Sequence, residues 1–313
     1  MTCRLERRVT KWVAVAAVAV SLPGCAEEPT RAGEPVKDAS TVRISATLSS
    51  IDAIKDVASA IPEIHFETVT RFGSLPAVAA LDRGERDVVF SYADVAYMAF
   101  VGRLPESSAP ATRLRGVAVL TPSTLHVIVA KDSGLRSIRQ FKGRRVALGR
   151  PRGATALMAD QVLKAFGVMP SDIDGMQMDF PEAVRMLLHG QVDAVFVSGQ
   201  FPHPAVAEAI AGGARLLEVT GSPADRLHAA YPFHKLTVIP GNTYEGYPRP
   251  VRTIGVDGLL TCRVGLDDDL VYKLTKVFFE MSKTPVDRSR AAASPIPLHP
   301  GAARYYRERE LLR

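Results

Sequence analysis

The chain has 313 residues, of which 47% are hydrophobic and 23% charged, with a formal net charge of +6. That balance belongs to a folded globular protein and excludes collagen-like, coiled-coil and low-complexity architectures. A single core stops growing near about 250 to 300 residues, so two compact units are expected.

The first segment is read as a leader. Arg4, Arg7, Arg8 and Lys11 precede an apolar run from Trp12 to Leu22, well short of the ~20 residues a membrane-spanning helix needs. A small-residue processing site follows, so residues 1–24 are expected to be an export signal. The junction Leu22-Pro23-Gly24-Cys25 resembles a bacterial lipobox, in which Cys25 becomes the lipidated first residue of the mature chain. Ordinary cleavage with Cys25 incidental is the other reading. Residues 25–40 then form the lipidated cysteine and a polar tether, Ala26 to Ser40. This places the protein outside the cytoplasm, lipid-anchored on the periplasmic or extracellular side of a membrane. Losing residues 1–24 removes four basic residues and one acid and leaves a net charge of +3, too little for a nucleic-acid stripe. Cys3 leaves with the signal and Cys25 carries lipid, so Cys262 remains alone and no intrachain disulfide is expected.

From Val42 the chain alternates β-rich and helical runs: VRISATL, SSIDAIKDVASAI, IHFETVT, GSLPAVAALDR, DVVFSY and ADVAYMAF. A second series follows Thr121: LHVIVA, RRVALG, ATALMADQVLKAF, MQMDF, PEAVRMLLH, DAVFVS and PAVAEAIA. The rhythm predicts an α/β fold with mostly parallel sheet. An echo links the two series. Ala77-Val78-x-x-Leu81-x-x-Gly84-x-x-Asp87-x-Val89-Phe90 recurs with identical spacing from Ala183 through Gly190 and Asp193 to Phe196. Each copy reads as a helix ended by glycine, a polar turn and a buried strand. It is either a true repeat or generic helix-strand grammar.

Open α/β sheets hold ligands beyond the carboxyl ends of their strands, where loops enter helix N-termini. The residues there are Ser49, Ser50, Arg71, Gly73, Ser74 and Ser91 in the first series. The second series supplies Arg150, Arg152, Gly153 and Thr155, then Ser198, Gly199, Gln200 and His203. Arginines beside helix N-termini suit a carboxylate or another anion. Arg150 and Arg152 are either ligand contacts or solvated loop residues. Asp94 opens a helix and suits capping better than ligand contact.

Several segments together resemble the TAXI family of solute receptors for TRAP transporters. They are Pro297 to Glu308 at the C-terminus, Gly73-Ser74 with Asp87 through Tyr97, Lys142 to Gly149, Gly190 through Phe196 with Gly199 and Pro202, and Pro240 to Tyr244 with Thr253. The resemblance implies a two-lobed periplasmic-binding-protein fold, type II-like, with a ligand cleft between lobes. Lobe 1 would comprise 41–122 plus 254–313 and lobe 2 residues 123–253, with crossovers near Thr121 to Thr124 and Arg249 to Thr253. It further implies capture of a small organic anion, dicarboxylate or amino-acid-like, and delivery to TRAP permease subunits in the membrane. A ligand-sensing lipoprotein signalling to a membrane partner is the alternative. Two departures bear on the ligand: Ser49-Ser50-Ile51-Asp52 lacks the aromatic pair usual after the first strand, and Arg152-Gly153-Ala154-Thr155 stands where the family usually has Gly-Ser-Gly-Thr.

The seven histidines show no metal-ligand spacing, and Asp267-Asp268-Asp269 lacks the alternation of a calcium loop. No phosphate loop, dinucleotide fingerprint or nucleophile elbow occurs. No metal, cofactor or enzymatic activity is expected. His299 reads as structural, Tyr305 and Tyr306 as a packing stripe of the last helix, and Arg304, Arg307 and Arg309 as its solvated face.

Overall fold

The computed structural model describes residues 41–46, 51–70, 73–105, 107–231, 233–280, 290 and 292–312. The leader, Cys25, the tether, Ser49, Ser50 and Arg71 lie outside these residues.

The first half runs β1 (Thr41–Ala46), α1 (Ile51–Ala60), β2 (His65–Thr70), α2 (Ser74–Asp82), β3 (Val88–Tyr92) and α3 (Ala93–Phe100). Strand β1 pairs in parallel with both β2 and β3. After β4 (Leu114–Val129) the pattern recurs as β5 (Arg145–Ala147), α4 (Ala154–Ala165), β6 (Asp174–Met176), α5 (Phe180–Leu188), β7 (Ala194–Gly199) and α6 (Pro204–Ala211). Strand β5 again pairs in parallel with the two strands that follow it. The expected alternation of strand and helix is therefore present twice, with the same strand order.

The echo in sequence is an echo in bonding. Asp87 N–H donates to Arg43 O at 2.9 Å, and Asp87 Oδ2 accepts from Arg43 N and Nε at 2.9 and 3.0 Å. In the second half Asp193 N–H donates to Arg145 O at 2.9 Å, and its carboxylate accepts from Arg145 N and Nη2, each at 2.9 Å. Gly84 and Gly190 follow their helices at φ 75° and 68°, the left-handed cap that glycine adopts without a Cβ penalty. The copies are not identical: Asp87 also receives Arg263 Nε at 2.7 Å, and Arg43 Nη2 donates to Gly84 O at 2.5 Å.

Two long antiparallel strands join the halves, and the sequence pattern did not reveal them. They are β4 and β10 (Val251–Arg263), paired along most of their length with register shifts between Asp257 and Leu259 and between Leu260 and Thr261. One end of β10 pairs β3, and the other pairs β9 (Lys235–Ile239). The far end of β4 pairs β7 and β8 (Arg215–Leu217). Nearly every residue of both strands is buried, so neither shows the alternation that marks a half-exposed strand.

Packing follows from this frame. In the second half Leu125, Val127 and Val129 of β4 face α4 and α7 (Ser222–Ala230), while Ile128 faces α5 and α6. Alternate side chains thus feed two cores. In the first half Val42, Ile44 and Val117 pack with α1, α8 (Asp268–Glu280) and α9 (Pro300–Glu308). The C-terminal stretch earns its place there: Tyr306 is fully buried and its hydroxyl donates to Val117 O at 2.7 Å. His299 Nδ1 accepts from Gly301 N at 3.3 Å and caps α9. Arg304 and Arg309 are not simply solvated; they pair with Asp269 and Glu280 of α8. Cys262 is buried and free.

Candidate functional site

A cavity of about 600 Å³ opens where the carboxyl ends of β2, β3, β5 and β7 meet the crossing strands. Its lining includes Gly73, Ser74 and Ser91 from the first half, and Arg150, Gly153, Thr155, Gly199 and Gln200 from the second. The fold thus brings together eight residues far apart in sequence. The reason is topological: both halves direct their strand-to-helix loops to one side.

Four helices start at this cavity, and none is capped by the side chain of its N-cap residue. Gly73, Tyr92, Gly153 and His203 are the N-cap residues of α2, α3, α4 and α6, and no side chain bonds the free amides from any of these positions. By contrast Asp179, at the start of α5, accepts from Glu182 N at 3.0 Å. Uncapped amides and the positive dipole end favour a negative group.

Arg150 is half-exposed and reaches within 4.0 Å of Asp179. Thr155 Oγ1 and Ser198 Oγ stand 2.6 Å apart. Arg152 is placed differently: it is exposed and absent from the lining. Its left-handed φ of 56° turns its carbonyl toward the first half, where it accepts from Leu75 N at 3.4 Å. Leu75 packs with Ala154 and Leu157 of α4, so the two halves touch at this flank. Gly73 permits the approach, since a Cβ there would lie 2.9 Å from Arg152 O.

Behind the cavity, Tyr244 holds the turn that carries His203. Tyr244 Oη accepts from His203 N at 3.2 Å and lies 2.8 Å from His126 Nε2. Burial, with His203 nearby, pushes the His126 pKa down to about 4, so the ring is neutral at physiological pH. Burial also lowers the His203 pKa.

Asp94 is fully buried in the first turn of α3, and its Oδ1 accepts from Val95 N at 2.8 Å. Sequence reasoning missed Tyr92, Ser123, Phe180 and Gly258, which also line the cavity. Ser123 and Gly258 lie on the crossing strands, whose path no local pattern announces. Phe180 sits at a helix start and could have been found by the same loop rule that found Gly153. Among the described residues there is no cluster of three metal-ligating side chains.

The sequence model of the NMT1-like family matches residues 46–309. Among solved structures, PhnD1 from Prochlorococcus marinus, in complex with methylphosphonate, is 12% identical, with 78% of this chain and 86% of that one covered and a TM-score of 0.50. XAC2383 from Xanthomonas citri, bound to ATP, is 13% identical, with 86% and 95% covered and a TM-score of 0.51. The Escherichia coli periplasmic aliphatic sulphonate binding protein SsuA is 14% identical, with 76% and 74% covered and a TM-score of 0.46. The architecture is a two-lobed α/β fold shared with PhnD1 and XAC2383.

Proposed function

Because the chain belongs to the NMT1-like family, we propose that it is an extracytoplasmic solute receptor that closes its two lobes around a small organic anion. The observation that carries this reading is the meeting of four helix N-termini, none capped by the side chain of its N-cap residue, at one cavity between the halves. Such a site gains contacts from both lobes only when closed, which couples capture to conformation. The ligands of PhnD1 and of the Xanthomonas protein, a phosphonate and ATP, are anions and accord with this reading. Within it, Ser74, Thr155, Gly153, Gly199 and Gln200 hold the ligand and Arg150 supplies the cation. The receptor delivers its solute to a TRAP-type permease, as the TAXI resemblance implies, and Cys25 tethers it to the membrane.

A thermal-shift panel of dicarboxylates, amino acids, monocarboxylates, sulfonates and neutral sugars tests the reading on ligand-stripped protein. A true ligand at 100 times its dissociation constant adds about 2.7 kcal/mol of stability by mass action. An anion should give this shift and Arg150→Gln should reduce it. Stabilisation by neutral sugars alone, or by nothing in the panel, defeats the anion receptor.

A further inference from the structure

The four helix N-termini at the cavity are not equally available. In the first half α2 already receives the Arg152 carbonyl, which accepts from Leu75 N at 3.4 Å. Helix α3 carries Asp94 in its first turn, where Oδ1 accepts from Val95 N at 2.8 Å. A protein acceptor therefore takes one amide at each positive helix end of that half, leaving these ends less open than those of α4 and α6. In the second half α4 and α6 begin at Gly153 and His203 without a side-chain acceptor. Beside α4 stand Arg150 and the hydroxyl pair of Thr155 and Ser198.

Charge divides the same way. Among the described lining residues Arg150 is the single Lys, Arg, Asp or Glu, and it belongs to the second half. The facing wall presents Phe90, Tyr92 and Leu120. It also presents Ser91, which is 4% exposed and whose Oγ is buried without a hydrogen-bond partner. A buried hydroxyl left unpaired is costly, so its position at a cavity wall points to a partner brought by the ligand.

We propose that the cavity selects a monoanion with an apolar body, its carboxylate or sulfonate head on Arg150 and the start of α4 and its body along Phe90, Tyr92 and Leu120. Ser91 receives a neutral hydrogen-bonding substituent where the ligand has one. A second carboxylate would face helix ends that already hold acceptors, and an α-ammonium would meet no carboxylate among the described lining residues. This rests on the solute-receptor reading and narrows its ligand.

The test is calorimetric titration of the ligand-stripped mature protein with alkanoates and alkanesulfonates of about five to eight carbons, a length suited to a cavity of this kind. Dicarboxylates and α-amino acids of matching length form the other two arms. A monoanion should bind about tenfold more tightly than its matched dicarboxylate and amino acid, and Arg150→Gln should cost it about tenfold. A dicarboxylate or amino acid binding as tightly as the matched monoanion overturns the inference but leaves the receptor reading in place. Failure of every anion in all arms defeats both.

Discussion

Two buried aspartates show how one residue type is pushed in opposite directions by its surroundings. Burial alone would raise the pKa of Asp87, but hydrogen bonds from Arg43 and Arg263 outweigh it and hold the carboxyl well below the usual range. No arginine among the described residues bonds Asp94; burial raises it to about 7, against the smaller effect of its backbone hydrogen bonds. The consequences for stability have opposite sign. Asp87 contributes stability above the unfolded-state pKa of about 4, and that contribution fades as the pH falls further. Asp94 favours the folded state most at low pH, and its contribution is lost as the pH rises from about 4 through 7. Asp94→Asn keeps an acceptor for Val95 N and carries no charge. Its melting temperature should exceed that of the parent by a few degrees at pH 8, where 1 kcal/mol corresponds to about 2–4 °C, and the gap should close by pH 4. A gap independent of pH would mean that Asp94 does not titrate in this window. Both aspartates stood out in the sequence, Asp87 through the echo and Asp94 as a helix opener, but their partners did not. Arg263 lies 176 positions from Asp87, and no local pattern reports such a neighbour.

At the scale of elements, the turn from Arg150 to Gly153 and the start of α2 form one unit across the cleft. Gly73 has φ 99° and stands where a Cβ would meet Arg152 O at 2.9 Å. Gly73→Ala therefore combines backbone strain of about 1–3 kcal/mol with a clash between the halves. Gly134 supplies a control, since it has φ 68° and nothing within 4 Å of a built Cβ. Gly73→Ala should lower the melting temperature more than Gly134→Ala does, with the difference reporting the contact between halves. Equal losses would show that the approach seen here does not hold in solution. The loop rule for α/β sheets identified this turn from sequence and placed Gly73, Arg152 and Gly153 among its separate candidates. What it could not supply was the direction of Arg152. A left-handed φ at a non-glycine residue is decided by the contacts that stabilise it, here the Leu75 amide and the packing of Leu75 on Ala154 and Leu157.

Across the whole molecule, β4 and β10 make the two halves mechanically continuous. Strand β10 ladders to β3 of the first half at one end and to β9 at the other, and β4 runs beside it while pairing β7 and β8 of the second half. The core around Leu75 also mixes residues of α2, α3 and α4. Loss of either half strips hydrogen-bond partners and apolar cover from the other, so unfolding should be a single transition. Calorimetric and circular-dichroism melts of the mature protein should coincide, and two resolved transitions would show that the halves are energetically separate.

Sequence by itself determined the α/β class, the duplicated order of strands and helices, the glycine-capped turns and the loops that reach the cavity. These are local properties: hydrophobic period, capping chemistry and turn residues act within a few positions of one another. Tertiary structure alone decided the long crossing strands, the second arginine on Asp87, the carbonyl of Arg152 on α2 and the resulting inequality between the two walls of the cavity. Those features come from contacts between residues far apart in the chain, where burial and close approach outweigh every local preference.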